Sequence, residues 1–406
     1  MQQGFFTKKE TASVSRPDGK TYSCVSCGRY KNCISARIKP SGNFKKGILN
    51  IGECPSQFDD KAGSPFQDKA GKFLQRTYKK LGVDLFEDCL NTTAVQCYSD
   101  TEPTNYEIDC CRRRILQLIK KYQPKVIVLF GMIAVYSVIG HRWKKDLGKI
   151  TKWRGWTIPD QDLQTWICPV FTSDFVLEND MGAEETIWKN DLKQVKELLW
   201  EDANTTYKFP IYKEPDIEII EDLSVLSTIK HTFAFDYETT GLKPHAQGHK
   251  IVCCAVADTE DHAYVFMMPK TKKELQPLID LLEDENIGKV AQNMKFEKTW
   301  TEVRLRTEVK HFVWDTMLAS HLLDNRTGVT GLKWQTYVQF GIMDYSSEVE
   351  PYLKAKDKDN ANAINRIEEL IALPGGKEKL LMYCGYDAIN ELRLANKQRE
   401  LIILPF

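Results

Sequence analysis

The sequence predicts an α/β protein of two domains, each built on its own sheet, and three observations carry that expectation. In the first half, residues 124–131 (Pro-Lys-Val-Ile-Val-Leu-Phe-Gly) form an apolar run between breakers, directly after a helical stretch. That is the signature of a strand buried on both faces, and strand, glycine-containing turn and helix alternate around it, as a parallel sheet requires. In the second half, apolar runs at 231–235, 251–256 and 263–268 are separated by turn residues and followed by helical stretches. Between the halves, 200–215 interrupts all periodicity with Asn204, Thr205, Thr206, Pro210 and Pro215. Boundaries at 21–203 and 225–406 follow, with a polar tail at 1–20 and a linker at 204–224.

A chain of 406 residues is long enough for two or three cores. Lys+Arg and Asp+Glu both number 56, so no global charge advertises nucleic acid, and any DNA contact must come from local patches. The first twenty residues are polar, neither signal peptide nor membrane span. Twelve cysteines without a secretory signal point to a reducing compartment, and to metal ligands plus buried thiols rather than a disulfide framework.

In the second half the run 231–235 places Asp236 and Glu238 at the end of a strand, and the period of two puts both carboxylates on one face. Thr239, Thr240 and Gly241 turn the chain, and the next two runs make a meander. The apolar segment 288–292 leads into a helix over 296–304, with Glu297 near its start. A further helix spans 315–323, with Met317, Leu318 and Leu322 expected in apolar packing. Tyr383 and Asp387 stand four apart in a helical stretch, 378–397, and so share a face. Carboxylates on elements that can converge are what two divalent cations need, held roughly 4 Å apart by oxygen ligands.

Four segments together, Phe235-Asp236-Tyr237-Glu238-Thr239-Thr240-Gly241, Asn293-Met294-Lys295-Phe296-Glu297, Asp315-Thr316-Met317-Leu318 and Tyr383-Cys384-Gly385-Tyr386-Asp387, resemble the DEDD-type 3′–5′ proofreading exonucleases with a tyrosine, as in family A DNA polymerases. The resemblance implies a ribonuclease-H-like mixed sheet and two Mg2+ or Mn2+ ions. Asp236 would bridge both ions, Glu238 and Asp387 would complete the first, and Tyr383 would orient the attacking water. Glu297 stands where the family usually has aspartate, one methylene shorter. Asn293 and Phe296 would lie along the DNA, and Asp315 belongs to the supporting helix. The implied reaction releases nucleotides from a 3′ end.

The first half carries Cys24-x-x-Cys27, then Ile51-Gly52-Glu53-Cys54-Pro55-Ser56, Gly63-Ser64-Pro65-Phe66, Cys97 and Cys111. Order and spacing resemble the iron–sulfur (family 4) uracil-DNA glycosylases. On that pattern Cys24, Cys27, Cys97 and Cys111 would hold a 4Fe–4S cluster; four thiolates suit tetrahedral zinc equally, and Cys33 and Cys110 are rival ligands by spacing. Phe66 would stack on a flipped base. The family's uracil-reading asparagine aligns with Thr93, and its His-Pro-Ser segment with Thr172-Ser173-Asp174. Excision needs the extruded base to be read and its developing charge stabilised, so the resemblance implies a retired glycosylase kept to bind DNA or partners. Between 141 and 156, Lys144, Lys145, Lys152 and Arg154 interleave with Trp143, Trp153 and Trp156. Cations tracking phosphate with indoles stacking on bases is one reading; core tryptophans with a solvated rim is the other.

A glycosylase-like domain before a proofreading domain resembles the N-terminal portion of certain phage family A polymerases. This implies a DNA-bound protein in the cytoplasm of an infected host, acting at a single-stranded 3′ end or primer terminus beside a separate polymerase chain and other replisome proteins. The apolar residues 401–406 are a candidate docking tail or a packed terminus. A stand-alone repair or recombination nuclease and a replisome scaffold with weakened nuclease are the alternatives.

Overall fold

The computed structural model describes residues 22–143, 145–179, 182–199, 209–343, 345–357, 360 and 362–402. The N-terminal tail, Lys144, the start of the linker and residues 403–406 lie outside the described residues. The chain forms two compact units: Met1–His141 with Lys145–Thr157 and Thr165–Lys208, and Arg142–Lys144 with Ile158–Gln164 and Phe209–Phe406.

Elements run in the order α1 (Cys24–Cys27), β1 (Ile48–Gly52), α2 (Gln57–Ala62), α3 (Lys69–Lys80), β2 (Cys89–Thr93), α4 (Asn105–Tyr122), β3 (Val126–Phe130), α5 (Met132–Val138), α6 (Ile150–Trp153), β4 (Ile158–Asp160), β5 (Thr165–Val170), α7 (Ser173–Glu178) and α8 (Ala183–Glu197). In the first unit four parallel strands lie in the order β2–β1–β3–β5, the expected buried strand at 126–130 among them. Every residue of β1, β2 and β3 is buried, which explains their lack of polar alternation. Helices cover the sheet, with Trp188 of α8 stacked on Phe73 of α3, centroids 5.1 Å apart.

The second unit continues with β6 (Asp216–Ile219), β7 (Phe233–Thr239), β8 (Ile251–Thr259), β9 (His262–Met267), α9 (Lys272–Glu283), β10 (Lys289–Ala291), α10 (Lys295–Trp300), β11 (Phe312–Asp315), α11 (Thr316–Leu323), α12 (Leu332–Phe340), α13 (Ile367–Ala372) and α14 (Gly376–Leu401). Its sheet has the order β11–β10–β7–β8–β9–β6; β7, β8 and β9 form the antiparallel meander, and β10, β11 and β6 join in parallel. The sheet is therefore mixed. Phe235 and Tyr237 enter the apolar core on one side of β7, alternating with the carboxylates of Asp236 and Glu238. Helix α14 packs on the other face, and Gly385 allows the close approach: a Cβ there would fall 2.7 Å from Ile217 and 2.9 Å from Val265.

β7 runs through Thr239, so Asp236 and Glu238 lie in its last four residues, at the end of the strand as expected. One expectation is corrected. Leu318 and Leu322 are exposed rather than packed, because α11 buries its small face instead: Thr316, Ala319 and Ser320. That face meets Gln398 of α14, whose amide donates to the Thr316 carbonyl and the Ser320 hydroxyl.

Candidate active site and cysteine pocket

The acidic centre lies where β7, α10 and α14 meet. Oxygen atoms of Asp236 and Glu238 and the Cys384 sulfur come within 4.8 Å of one another. Cys384, one residue after Tyr383 on α14, is fully buried and approaches Asp236 Oδ2 at 3.6 Å. Burial, then the negative charge of Asp387, pushes the Asp236 carboxyl up to about 7. Burial and Asp236 push Glu238 and Glu297 up in the same direction. Glu297 is 3% exposed at the start of α10, and its Oε2 has no hydrogen-bond partner among the described residues.

Asp387 occupies the same face of α14 as Tyr383, one turn later. Its Oδ1 is held by the Lys333 ammonium of α12 and by the Tyr345 hydroxyl at 2.6 Å. The ammonium also lies 4.2 Å from the ring centroids of both Tyr345 and Tyr383, a cation–π arrangement inside a largely dry site. Tyr383 is buried, which raises its phenol and keeps it a hydrogen-bond donor. Lys333 and Tyr345 were not legible as site residues, since they come from segments between the motifs.

Asp315 turns out to serve the backbone. Its carboxylate accepts N–H groups of Asn293, Met294, Met317 and Leu318, capping α11 and fastening the approach to α10. Asn293 adopts a left-handed conformation (φ 63°) at that joint, and Phe296 is half-buried against Trp300. The site thus gathers Asp236, Glu238, Glu297, Tyr383 and Asp387, and leaves Asp315 as scaffold.

In the first unit, Cys24, Cys27, Cys97, Cys110 and Cys111 line one pocket together with Arg29, Arg37 and Arg114. Helix α1 brings the Cys-x-x-Cys pair, and α4, capped by Thr104 with Glu107, brings Cys110 and Cys111. Burial, with the neighbouring thiols adding to it, pushes Cys111 up to about 12 and raises Cys27 as well. Cys33 lies beside Cys97 and is pushed up to about 11 by burial and that neighbour.

The carboxyl ends of the parallel strands are the usual place for a ligand site in such a sheet. Phe66 sits in a left-handed conformation (φ 61°) with its ring edge-on to Phe130, and a Cβ on Gly52 would lie 3.3 Å from that ring. Glu53 Oε1 accepts the Ile133 N–H at 3.0 Å. Thr93 ends β2 and is buried, and Thr172 caps α7 by accepting the Phe175 N–H. Asp174 is pushed up to about 6 by burial, then by Asp68 and Glu178.

The basic patch is corrected in part. Trp153 is fully buried and donates to the Leu147 carbonyl, so it offers no face to a base. Arg154 is committed to a two-pronged pair with buried Asp191. Lys145 is exposed and Lys152 half-buried.

Comparison with known proteins divides the chain in the same way. Residues 40–197 match the uracil DNA glycosylase superfamily, and residues 216–401 match the 3′–5′ exonuclease family. The Type-4 uracil-DNA glycosylase of Pyrobaculum aerophilum is 30% identical over 127 residues, 30% of this chain and 64% of that enzyme. The Type-4 enzyme of Archaeoglobus fulgidus is 24% identical over 46% of this chain and 94% of its own length. A DNA polymerase of Bacillus phage SP01 is 25% identical over 71% of this chain, which spans about a third (34%) of that protein. Among solved structures, Brucella melitensis NrnC with bound Mg2+ is 20% identical, covering 46% of this chain and 80% of that one at a TM-score of 0.31. The chain joins an N-terminal domain of the uracil DNA glycosylase superfamily to a C-terminal 3′–5′ exonuclease domain of the family A polymerase kind.

Proposed function

We propose that this chain is a metal-dependent 3′–5′ DNA exonuclease, the proofreading part of a phage-type family A replicative polymerase. Polymerisation would be supplied from outside these residues. The observation that carries the reading is the convergence of Asp236 and Glu238, with Glu297 near enough to feel the Asp236 charge and its buried Oε2 without a partner among the described residues. Such acids, dry and mutually repelling, fit divalent cations: an unpaired buried carboxylate costs several kcal/mol, and oxygen donors suit Mg2+ or Mn2+. Asp236, Glu238 and Asp387 would hold one ion, and Asp236 with Glu297 the other. Such ions, when bound, polarise the phosphodiester and activate water.

The protein's own groups do the rest. Tyr383, kept protonated by burial, donates a hydrogen bond that orients the attacking water. Lys333 and Tyr345 fix Asp387 from one side, so its remaining oxygen keeps a single direction. The ammonium also places positive charge where a phosphate would arrive. Similarity to the phage polymerase, which runs across both halves, supports the replicative assignment.

For the first domain we propose a DNA-binding or partner-binding role around a cluster held by Cys24, Cys27, Cys97 and Cys111. Five thiols lining one pocket, of which Cys27 and Cys111 are raised by burial and by neighbouring thiols, fit a cationic centre, and 4Fe–4S is favoured over zinc by the Type-4 relatives. Uracil excision is not expected, because Thr93 and Thr172 stand where the base-reading and charge-stabilising groups are needed.

The test is nucleotide release from 5′-labelled single-stranded DNA with Mg2+ or Mn2+. Asp236→Ala combined with Glu238→Ala should abolish it. Release as fast as that of the parent chain would refute the nuclease assignment.

A further inference from the structure

Helix α14 carries one more acid at the spacing that brings Tyr383 and Asp387 together: Glu391, a further turn along the same face. It is 1% exposed, and its Oε2 has no hydrogen-bond partner among the described residues. The charges it feels are those of Asp236, Glu297 and Asp387, all of its own sign, with Lys333 as the opposing charge. Lys333 is already committed to Asp387 and Tyr345. Two buried carboxylate oxygens, on Glu297 and on Glu391, are therefore left without a partner in one neighbourhood. A structural role would leave such an acid hydrogen-bonded, as Asp315 is by four backbone N–H groups.

We propose that Glu391 is a further acidic group of the metal centre, serving the divalent cation on the Glu297 side. The inference rests on the nuclease reading above and extends it. Glu391 and Glu297 together supply two long, flexible carboxylates where two short ones would demand closer backbones. A hard cation settles between them the charge that one lysine cannot balance.

The test is a Mn2+ titration of the full chain followed by the electron paramagnetic resonance of free Mn2+, comparing the parent with Glu391→Gln. The parent should bind two Mn2+ ions. The isosteric variant should weaken one of them by about tenfold or more, while its metal-free melting temperature stays level or rises as one buried charge is removed. Two sites of unchanged affinity in Glu391→Gln would overturn the inference and leave the nuclease reading intact. A parent that binds no Mn2+ would sink both. If Glu391→Gln does not fold, Glu391→Met, similar in length, is titrated in the same way; unchanged affinity there counts against the inference equally.

Discussion

The two domains keep different things. The exonuclease half keeps its chemical groups: Asp236 and Glu238 on β7, Glu297 on α10, and Tyr383 with Asp387 on α14 lie around one buried centre. The glycosylase-like half keeps its frame. The parallel strands, the glycine under Phe66 and the cysteine-lined pocket are present, whereas on the reading proposed above Thr93 and Thr172 stand where base excision would need an amide and an imidazole. A fold survives on dozens of interchangeable apolar contacts, whereas a reaction depends on a few side chains that have no substitute. On that proposal, one domain would have lost its chemistry at two positions without losing its shape.

The contrast can be broken at several points. The largest effect is expected from Asp387→Asn, which keeps the helix and removes a cation ligand: nucleotide release should fall about a thousandfold, roughly 4 kcal/mol of barrier. A variant within tenfold of the parent would move Asp387 out of the centre. Tyr383→Phe should lower kcat about a hundredfold with KM little changed, as loss of a water-orienting group predicts. An equal fall in thermal stability would instead make it a packing residue.

Asp315→Ala should act on stability rather than on the chemical step. Four backbone donors lose their acceptor, a cost of about 2 kcal/mol by denaturant unfolding. Unchanged unfolding would remove Asp315 from the scaffold.

The pH response follows from Asp236, whose carboxyl is raised from 3.8 to about 7 by burial and Asp387. Between those values the folded chain holds a proton that the unfolded chain has released. The metal-free protein should therefore be more stable at the acid end and lose that contribution as pH rises through about 7. Mn2+ competes with the same proton, so its affinity should rise across the same window. A metal-free melting temperature that climbs from about pH 5 to about pH 8 would contradict this.

The smallest expectation is a null one from the other domain: uracil-containing DNA incubated with the protein and treated with alkali should show no strand breaks above background. Breaks would restore the glycosylase and erase the contrast.

Much of the acidic centre was legible because its groups recur at spacings that strands and helices impose: two residues within β7 and four within α14. Glu391 obeys the same four-residue rule, so continuing that face one turn beyond Asp387 would have found it. Lys333 and Tyr345 could not be found that way, since they reach Asp387 across 54 and 42 residues of chain and no local period links them. The tryptophan–lysine patch stayed open between two readings for a related reason. Composition does not reveal that Trp153 turns inward to the Leu147 carbonyl or that Arg154 is already paired with Asp191. The exposed leucines of α11 show the same limit, because Thr316 and Ser320 were buried by a polar partner, Gln398, from the far end of the chain.

The most direct measurement is anomalous scattering from crystals of the parent chain soaked in Mn2+. Manganese peaks within coordination distance of the Asp236, Glu238 and Asp387 carboxylates are predicted, the second peak toward Glu297. Manganese bound only elsewhere, or no ordered ion among those acids at saturating Mn2+, would contradict the account.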